Sequence, residues 1–304
     1  MDLRQLEILK AVAETGSFTG AGRRLHVSQS AISRQILLLE AELNEPLFWR
    51  IKRKVKITPA GEALLQLSLR VFDDIRETTE RLSETQQRLT GTIRLVGGMT
   101  VSIYVFPTLL KEFQRLHPDV DVKVMTGPAE RLVRRLRAGT VDLGLLTLPV
   151  TEPDLVTSAV MREEIQVVTY PSHPLAQKKK IEAQDLSKLP FILYEPGSNT
   201  RRVIDEFFVR AQVQPRIVME TENVEIIKAM VASGIGSTLI SNNAIEREVK
   251  AGTLVAHRLQ GQQPLVRETG WVYLKANRVP RKISEMIRVL DELLPTMGLT
   301  GSKN

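Results

Sequence analysis

The sequence predicts a helix-rich winged helix-turn-helix at the N-terminus, one long linker helix after it, and a larger C-terminal α/β unit. Three observations carry this reading. Ser17 to Glu40, SFTGAGRRLHVSQSAISRQILLLE, packs two Ser-led helical patterns around one short break. A basic run with alternating apolar residues follows between Arg50 and Lys56, and a helical stripe without Pro or Gly comes after it. Beyond Gly91, short apolar runs alternate with helical ones.

A chain of 304 residues is long for one core and short for three, so two or three units are expected. The hydrophobic fraction of 42% and charged fraction of 25% are those of a globular protein. No apolar run reaches the ~20 residues of a membrane span. The opening MDLRQLEILK lacks the basic end and unbroken apolar stretch of a signal peptide, so a cytoplasmic location without a membrane partner is expected. Without cysteine there is no disulfide framework, thiolate metal site or thiol switch. The net charge of +7 is uneven: residues 1–60 hold ten Lys/Arg against six Asp/Glu, and the other 244 hold thirty-two against twenty-nine. A basic front end points to a polyanion, although so modest a surplus also suits a solvated face.

In the first helix, Leu3, Leu6, Ile8, Leu9, Val12 and Ala13 follow three-and-four spacing, and Thr15-Gly16 ends it. Ser17 can cap a second short helix, which Ala21 and Gly22 keep thin on its inner side. Ser28 caps a third helix whose apolar positions Ile32, Ile36, Leu37, Leu39 and Leu43 are expected to face a core. Ser28 itself, with Gln29, Ser30, Ser33, Arg34 and Gln35, forms a polar first turn suited to DNA. Arg can fork onto guanine and Gln onto adenine in the major groove, and hydroxyls at a helix N-terminus hold phosphates. The short preceding helix and tight connection supply the helix-turn-helix geometry. In PLFWRIKRKVKITPAGEALL, Arg50, Arg53, Lys54 and Lys56 lie on a short basic ribbon with Val55 and Ile57 on its other face. Beside a helix-turn-helix such a ribbon is a wing, whose charges meet the phosphate backbone or minor groove.

From Glu62, the positions Leu64, Leu67, Val71, Ile75, Thr78, Leu82 and Leu89 form one stripe. About 28 helical residues would run roughly 42 Å, more than a small domain's face covers, so pairing with a second copy is expected. The expected partition is therefore 1–60 for DNA, 61–90 for the linker, and 91–304 for a further domain. In that domain the expected strands are TIRLVG, DVKVMTG, DLGLLTL, EIQVVTY, FILYEPG, RIVMET, GSTLIS and GWVYLKA.

Through SFTGAGRRLHVSQSAISRQILLLEAEL, Leu47-Phe48, Arg50 and ITPAGEALL, the chain resembles the LysR-type transcriptional regulators, and the resemblance extends over essentially its whole length. The family usually has Ala where Gly22 stands, an acidic or polar residue in place of Trp49, and often Gly near Lys52. The resemblance implies paired linker helices in a homodimer or homotetramer, double-stranded promoter DNA as partner, and RNA polymerase as a further one. It also implies that residues 91–304 form a two-lobed α/β effector domain like the type II periplasmic binding proteins. One lobe would be about 91–163 with 268–304, the other about 164–267.

Polar loops follow several strands. Thr100 and Ser102 open a helix, Thr147 ends a strand, and Ser198, Asn199 and Thr200 precede a helix of the other lobe, with Arg201 and Arg202 nearby. Taken singly, such clusters suit N-caps and turns. The resemblance implies that Thr100, Ser102, Thr147 and Thr200 converge on an interlobe effector. The donors suit a small carboxylate, sulfate or similar anion, with no other cofactor and no metal. An enzyme is not expected: the four histidines are scattered, and HExxH, GxSxG and GxxxxGK[ST] are absent. GIGSTL at Gly234 is only a fragment of a dinucleotide pattern and suits a tight turn. The alternative is an effector-independent repressor or architectural protein whose C-terminal part serves oligomerisation.

Overall fold

Capping chemistry sets the first three helices. The computed structural model describes residues 1–51, 54–82, 88–187, 189–259, 264–276 and 279–297. Helix α1 (Leu3–Thr15) opens with a capping box, in which Asp2 accepts from the Gln5 N–H and the Gln5 side chain accepts from the Asp2 N–H. It ends at Gly16, whose φ of 62° lies in the left-handed region glycine tolerates. Ser17 caps α2 (Phe18–Leu25) and Ser28 caps α3 (Gln29–Leu43). Leu9, Val12, Phe18, Ala21, Ile32, Ile36 and Leu39 close one core between the three.

Two expectations need correcting in α3. Leu37 is 51% exposed and Leu43 38% exposed, so neither faces the core. The buried stripe steps through Ile32, Ile36 and Leu39; Leu37 lies about 100° from Ile36, and Leu43 is the last helical residue. Leu3 is likewise half-exposed at the start of α1.

Strands β1 (Phe48–Ile51) and β2 (Lys54–Ile57) pair antiparallel as the expected ribbon. Two contacts fix it to the helices. The Glu40 carboxylate of α3 accepts from the N–H groups of Leu47 and Phe48 at 2.7 and 3.1 Å, and the Phe48 ring meets Phe18 edge-on at 6.0 Å. Thr58 then starts α4 (Pro59–Leu82), its hydroxyl accepting from the Gly61 N–H. Gly61 is dictated by close approach, because a Cβ there would sit 2.2 Å from the Leu47 carbonyl oxygen. Ser68 Oγ, buried, donates to the Leu6 carbonyl and ties α4 to α1. The helix starts three residues before Glu62, and its 24 residues run roughly 36 Å. Leu89 does not continue the stripe: it packs against a core of the second unit.

The chain divides into compact units at Arg88 and Leu89. In the second unit, β3 (Gly91–Gly97), α5 (Met99–Tyr104), α6 (Phe106–Leu116), β4 (Val120–Thr126), α7 (Ala129–Arg137) and β5 (Leu143–Thr147) follow in order. Then come β6 (Leu155–Thr169), β7 (Pro190–Leu193), α8 (Asn199–Arg210), β8 (Arg216–Glu220), α9 (Val224–Ala232) and β9 (Thr238–Ser241). Helix α10 (Glu246–Lys250), β10 (Val255–His257), β11 (Val266–Leu274) and α11 (Arg281–Leu293) complete it. Strands run β10-β6-β11-β5-β3-β4, with β9 also on β6 and a parallel β7-β8 pair beside it.

Three cores lie along this sheet, a small one around Val96, Leu136 and Val272 and two larger ones. Of the larger two, one gathers Leu95, Phe106, Phe113, Leu143, Trp271 and Met286; the other gathers Val167, Phe191, Ile204, Phe208, Ile227 and Leu239. Strand β6, 15 residues and about 50 Å long, serves both, paired antiparallel with β11. The result is a two-lobed α/β fold whose lobes share two crossing strands. The sequence reading recognised only EIQVVTY of β6 and began β11 at Gly270, so it missed the polar halves of both strands. Gly234, with φ of 80°, ends α9 in a tight turn.

Candidate functional site

The residues expected to meet nucleic acid lie on the first unit. Burial of Ile32, Ile36 and Leu39 fixes the roll of α3, leaving Gln29, Ser30 and Arg34 exposed at its N-terminal end and Ser33 half-buried. Ser28 is exposed, but its hydroxyl is committed to the Ala31 N–H and lies 3.0 Å from Ser30 Oγ. Gln35 turns partly inward, where its Oε1 accepts from Gln5 Nε2 at 3.4 Å. On the ribbon, Lys56 is exposed opposite Trp49, and Arg50 and Lys54 occupy strand positions. Arg53 lies outside the described residues.

In the second unit a chamber of about 70 Å³ opens between the lobes. Thr100, Thr147, Ser198, Asn199 and Thr200 all line it. They reach it because β3, β5 and β7 end at the same edge of the fold, where α5 and α8 begin. Ser102 is the exception. Two residues beyond Thr100 is about 200° around the helix, and its Oγ turns back toward the Gly97 carbonyl at 3.5 Å. Ser198 spends its Oγ capping the Arg201 N–H at 3.0 Å. Asn199 bridges the lobes, its Nδ2 donating to the carbonyls of Thr147 and Pro149. A larger, open groove of about 780 Å³ outside the chamber shares Ala129, Ser198 and Asn199 with it.

The group at the centre is one the sequence reading missed. Arg267 of β11 is 2% exposed; its Nε donates to Glu163 Oε2 at 2.9 Å, Nη1 to Thr200 Oγ1 at 3.1 Å and Nη2 to Ser241 Oγ at 3.1 Å. Glu163 stands directly opposite it in the β6–β11 register. Burial pushes the Glu163 carboxyl up, but the Arg267 charge and hydrogen bond outweigh this and hold it below the usual carboxylate range. The buried Tyr194 hydroxyl, also on the chamber wall, has no hydrogen-bond partner among the described residues, and burial drives its ionisation upward. Arg267 stands between Val266 and Glu268-Thr269, a stretch whose sequence carries no sign that it is buried.

A second polar cluster joins the lobes away from the chamber. Lys228 of α9, buried, donates from Nζ to Tyr104 Oη at 2.6 Å, Glu248 Oε1 at 2.7 Å and the Ala244 carbonyl at 3.0 Å, and pairs with Glu225 at 2.9 Å. Tyr104 Oη in turn donates to Glu225. Burial and that carboxylate push the Tyr104 phenol up to about 12. For Lys228, burial opposes the charge but the partners outweigh it, so its ammonium is held charged. Among the described residues no group of three or more His, Asp or Glu side chains could hold a metal ion, and no helix is long and apolar enough to cross a membrane.

Residues 3–62 match the family model for the bacterial regulatory helix-turn-helix protein of the lysR family, and residues 86–295 match the LysR substrate binding domain. The chain is 32% identical over 301 residues to a probable RuBisCO transcriptional regulator of Trichormus variabilis, covering 96% of this chain and 88% of that one. It is 34% identical over 254 residues to the HTH-type transcriptional regulator CfxR of Cupriavidus necator, covering 84% and 80%. Among solved structures, a full-length OxyR variant from Pseudomonas aeruginosa superposes with a TM-score of 0.72 at 25% identity, covering 96% and 94%.

Proposed function

This chain belongs to the LysR family of effector-controlled, DNA-binding transcriptional regulators, and from that premise we propose how its parts divide the work. Residues 1–60 read DNA, 61–90 pair copies of the chain, and 91–304 sense. Gln29, Ser30, Ser33 and Arg34 meet base edges and nearby phosphates, with Ser28 and Gln35 at the margins of that surface. Arg50, Arg53, Lys54 and Lys56 carry the wing's phosphate contacts. Half-exposed Leu67 and Val71, with exposed Ile75, support pairing of α4 with a second copy in a homodimer or homotetramer. The protein acts in the cytoplasm and has no enzymatic activity of its own.

The effector is a small anion held in the interlobe chamber by Thr100, Thr147, Asn199, Thr200 and Arg267, with Ser198 shaping the α8 N-terminus. One observation carries this reading: a buried guanidinium whose five N–H donors have only three acceptors among the described residues. Occupancy alters DNA binding only if the anion prefers one lobe arrangement over another.

The test is to footprint the purified protein on the DNA upstream of its own gene and any divergent neighbour, with and without a panel of small anions. The names of the relatives make RuBisCO-operon promoters the next DNA to try. A protected region whose extent or hypersensitive positions change with one anion supports both halves of the proposal. Protection that never changes with any anion counts against the sensor and favours effector-independent binding.

A further inference from the structure

The charge balance of the chamber constrains its ligand more tightly than "small anion". Two N–H groups of Arg267, one on each terminal nitrogen, are left over after Glu163, Thr200 and Ser241 take the other three. A buried donor without an acceptor is costly, and the unpartnered Tyr194 hydroxyl adds another on the same wall. Asn199 and Thr200 form the first turn of α8, a 12-residue helix whose initial N–H groups have no partner within the helix. Together these donors require an acceptor, and an anion supplies it.

Two carboxylates oppose too much negative charge. Glu163, 5% exposed, already neutralises Arg267, and Glu222 lies on the chamber wall. A dianion would meet a cation that is already paired and a second carboxylate that repels it, in a setting that screens poorly. A monoanion suffers less. A ligand that also brings an O–H or N–H donor turns Glu222 from a repulsive neighbour into a hydrogen-bond acceptor. A chamber of about 70 Å³ admits only a few heavy atoms beside the carboxylate.

We propose that the chamber takes a small acid with a single carboxylate and its own donor, either a monoanionic 2-hydroxy-carboxylate or a zwitterionic 2-amino-carboxylate of a few carbons. Its carboxylate faces Arg267, Tyr194 and the start of α8, and its donor faces Glu222. This rests on the reading that the effector occupies the chamber, and it makes Arg267 and Glu222 the specificity-determining pair.

Calorimetric titration of the full chain with glycolate, glycine, acetate and sulfate tests it. Glycolate or glycine is expected to bind at least about tenfold more tightly than acetate, because a site built to hydrogen-bond a group rejects the analogue lacking it. Sulfate is expected to bind most weakly. Glu222→Gln, at a half-exposed position, should remove most of the preference over acetate and admit sulfate. Arg267→Gln alone strands Glu163, so the double variant Arg267→Gln/Glu163→Gln is used, and it should lose carboxylate binding about 100-fold. Sulfate binding more tightly than glycolate overturns the single-carboxylate assignment and leaves the chamber in place as the effector site. Absence of binding by both donor-bearing probes at millimolar concentration overturns the proposed class. Glycolate binding unchanged in both the double variant and Thr200→Val overturns the chamber itself.

Discussion

Lys228 Nζ donates to Tyr104 Oη at 2.6 Å, and the two residues stand on different lobes, one on α9 and the other on α5. The buried ammonium also faces Glu225 and Glu248, so the phenol completes a four-group cluster that holds the lobes together away from the chamber. Tyr104→Phe keeps the ring and deletes the bridge. The expected loss is about 1–2 kcal/mol in urea unfolding of the second unit, since Lys228 retains two carboxylates and the Ala244 carbonyl. An unchanged midpoint would show the hydroxyl to be redundant with those partners.

On the DNA side, Arg34 is exposed in the polar N-terminal part of α3 that Ser28 caps. Arg34→Ala is expected to weaken binding to a specific site by about 1–3 kcal/mol, with a much smaller loss on random DNA. Equal losses on both, read by titration at fixed salt, would reassign it from base to phosphate.

The wing depends on Glu40. Its carboxylate accepts two backbone N–H groups at the entry to β1, and Glu40→Ala leaves both without that acceptor. A loss of about 1–3 kcal/mol is expected in the first unit alone. Hydrogen exchange should quicken at Leu47 and Phe48 before any change in the second unit.

Acid should weaken the second unit in two stages. Burial holds the His173 and His257 imidazoles below their ordinary 6.5, and His173 also feels His257. His173 Nδ1 accepts from the Leu175 N–H, which requires it to be neutral. The unfolded chain therefore binds protons first as pH falls. Stability from this source is full above about 6.5 and declines below it, by at most about 1.4 kcal/mol per pH unit for each histidine. Carboxylates held low, such as Glu163, extend the decline below their ordinary 4.5. Unfolding midpoints measured between pH 7 and about pH 5 should slope downward, and the double variant His173→Asn/His257→Asn should flatten that slope.

What the sequence determined by itself is mostly local. Ser17 and Ser28 mark helix starts because a short side-chain oxygen satisfies N–H groups two or three residues on, and Gly16 marks a stop because it accepts a left-handed backbone. The three-and-four stripe placed Ile32, Ile36 and Leu39 inside, and the basic alternation marked the ribbon. Each of these signals lies within about one turn of chain. Thr100, Thr147 and Thr200 were legible as a group only through family resemblance, since no local rule brings three strand ends together.

Tertiary structure decided the rest. Leu37 fits the apolar pattern of a core position yet lies outside the core, because the roll of a helix is set by the whole stripe it buries. Ser102 was grouped with Thr100, yet the turn of α5 points it elsewhere. Arg267 and Glu163 are 104 positions apart, and only the register of β6 against β11 brings them opposite each other. Arg267 is followed by Glu268 and Thr269, a polar stretch that reads in sequence as lying outside the strand begun at Gly270. Buried with a counter-charge and two hydroxyl acceptors, Arg267 instead lines the chamber between the lobes, because pairing across the fold offsets a desolvation cost that local chemistry cannot.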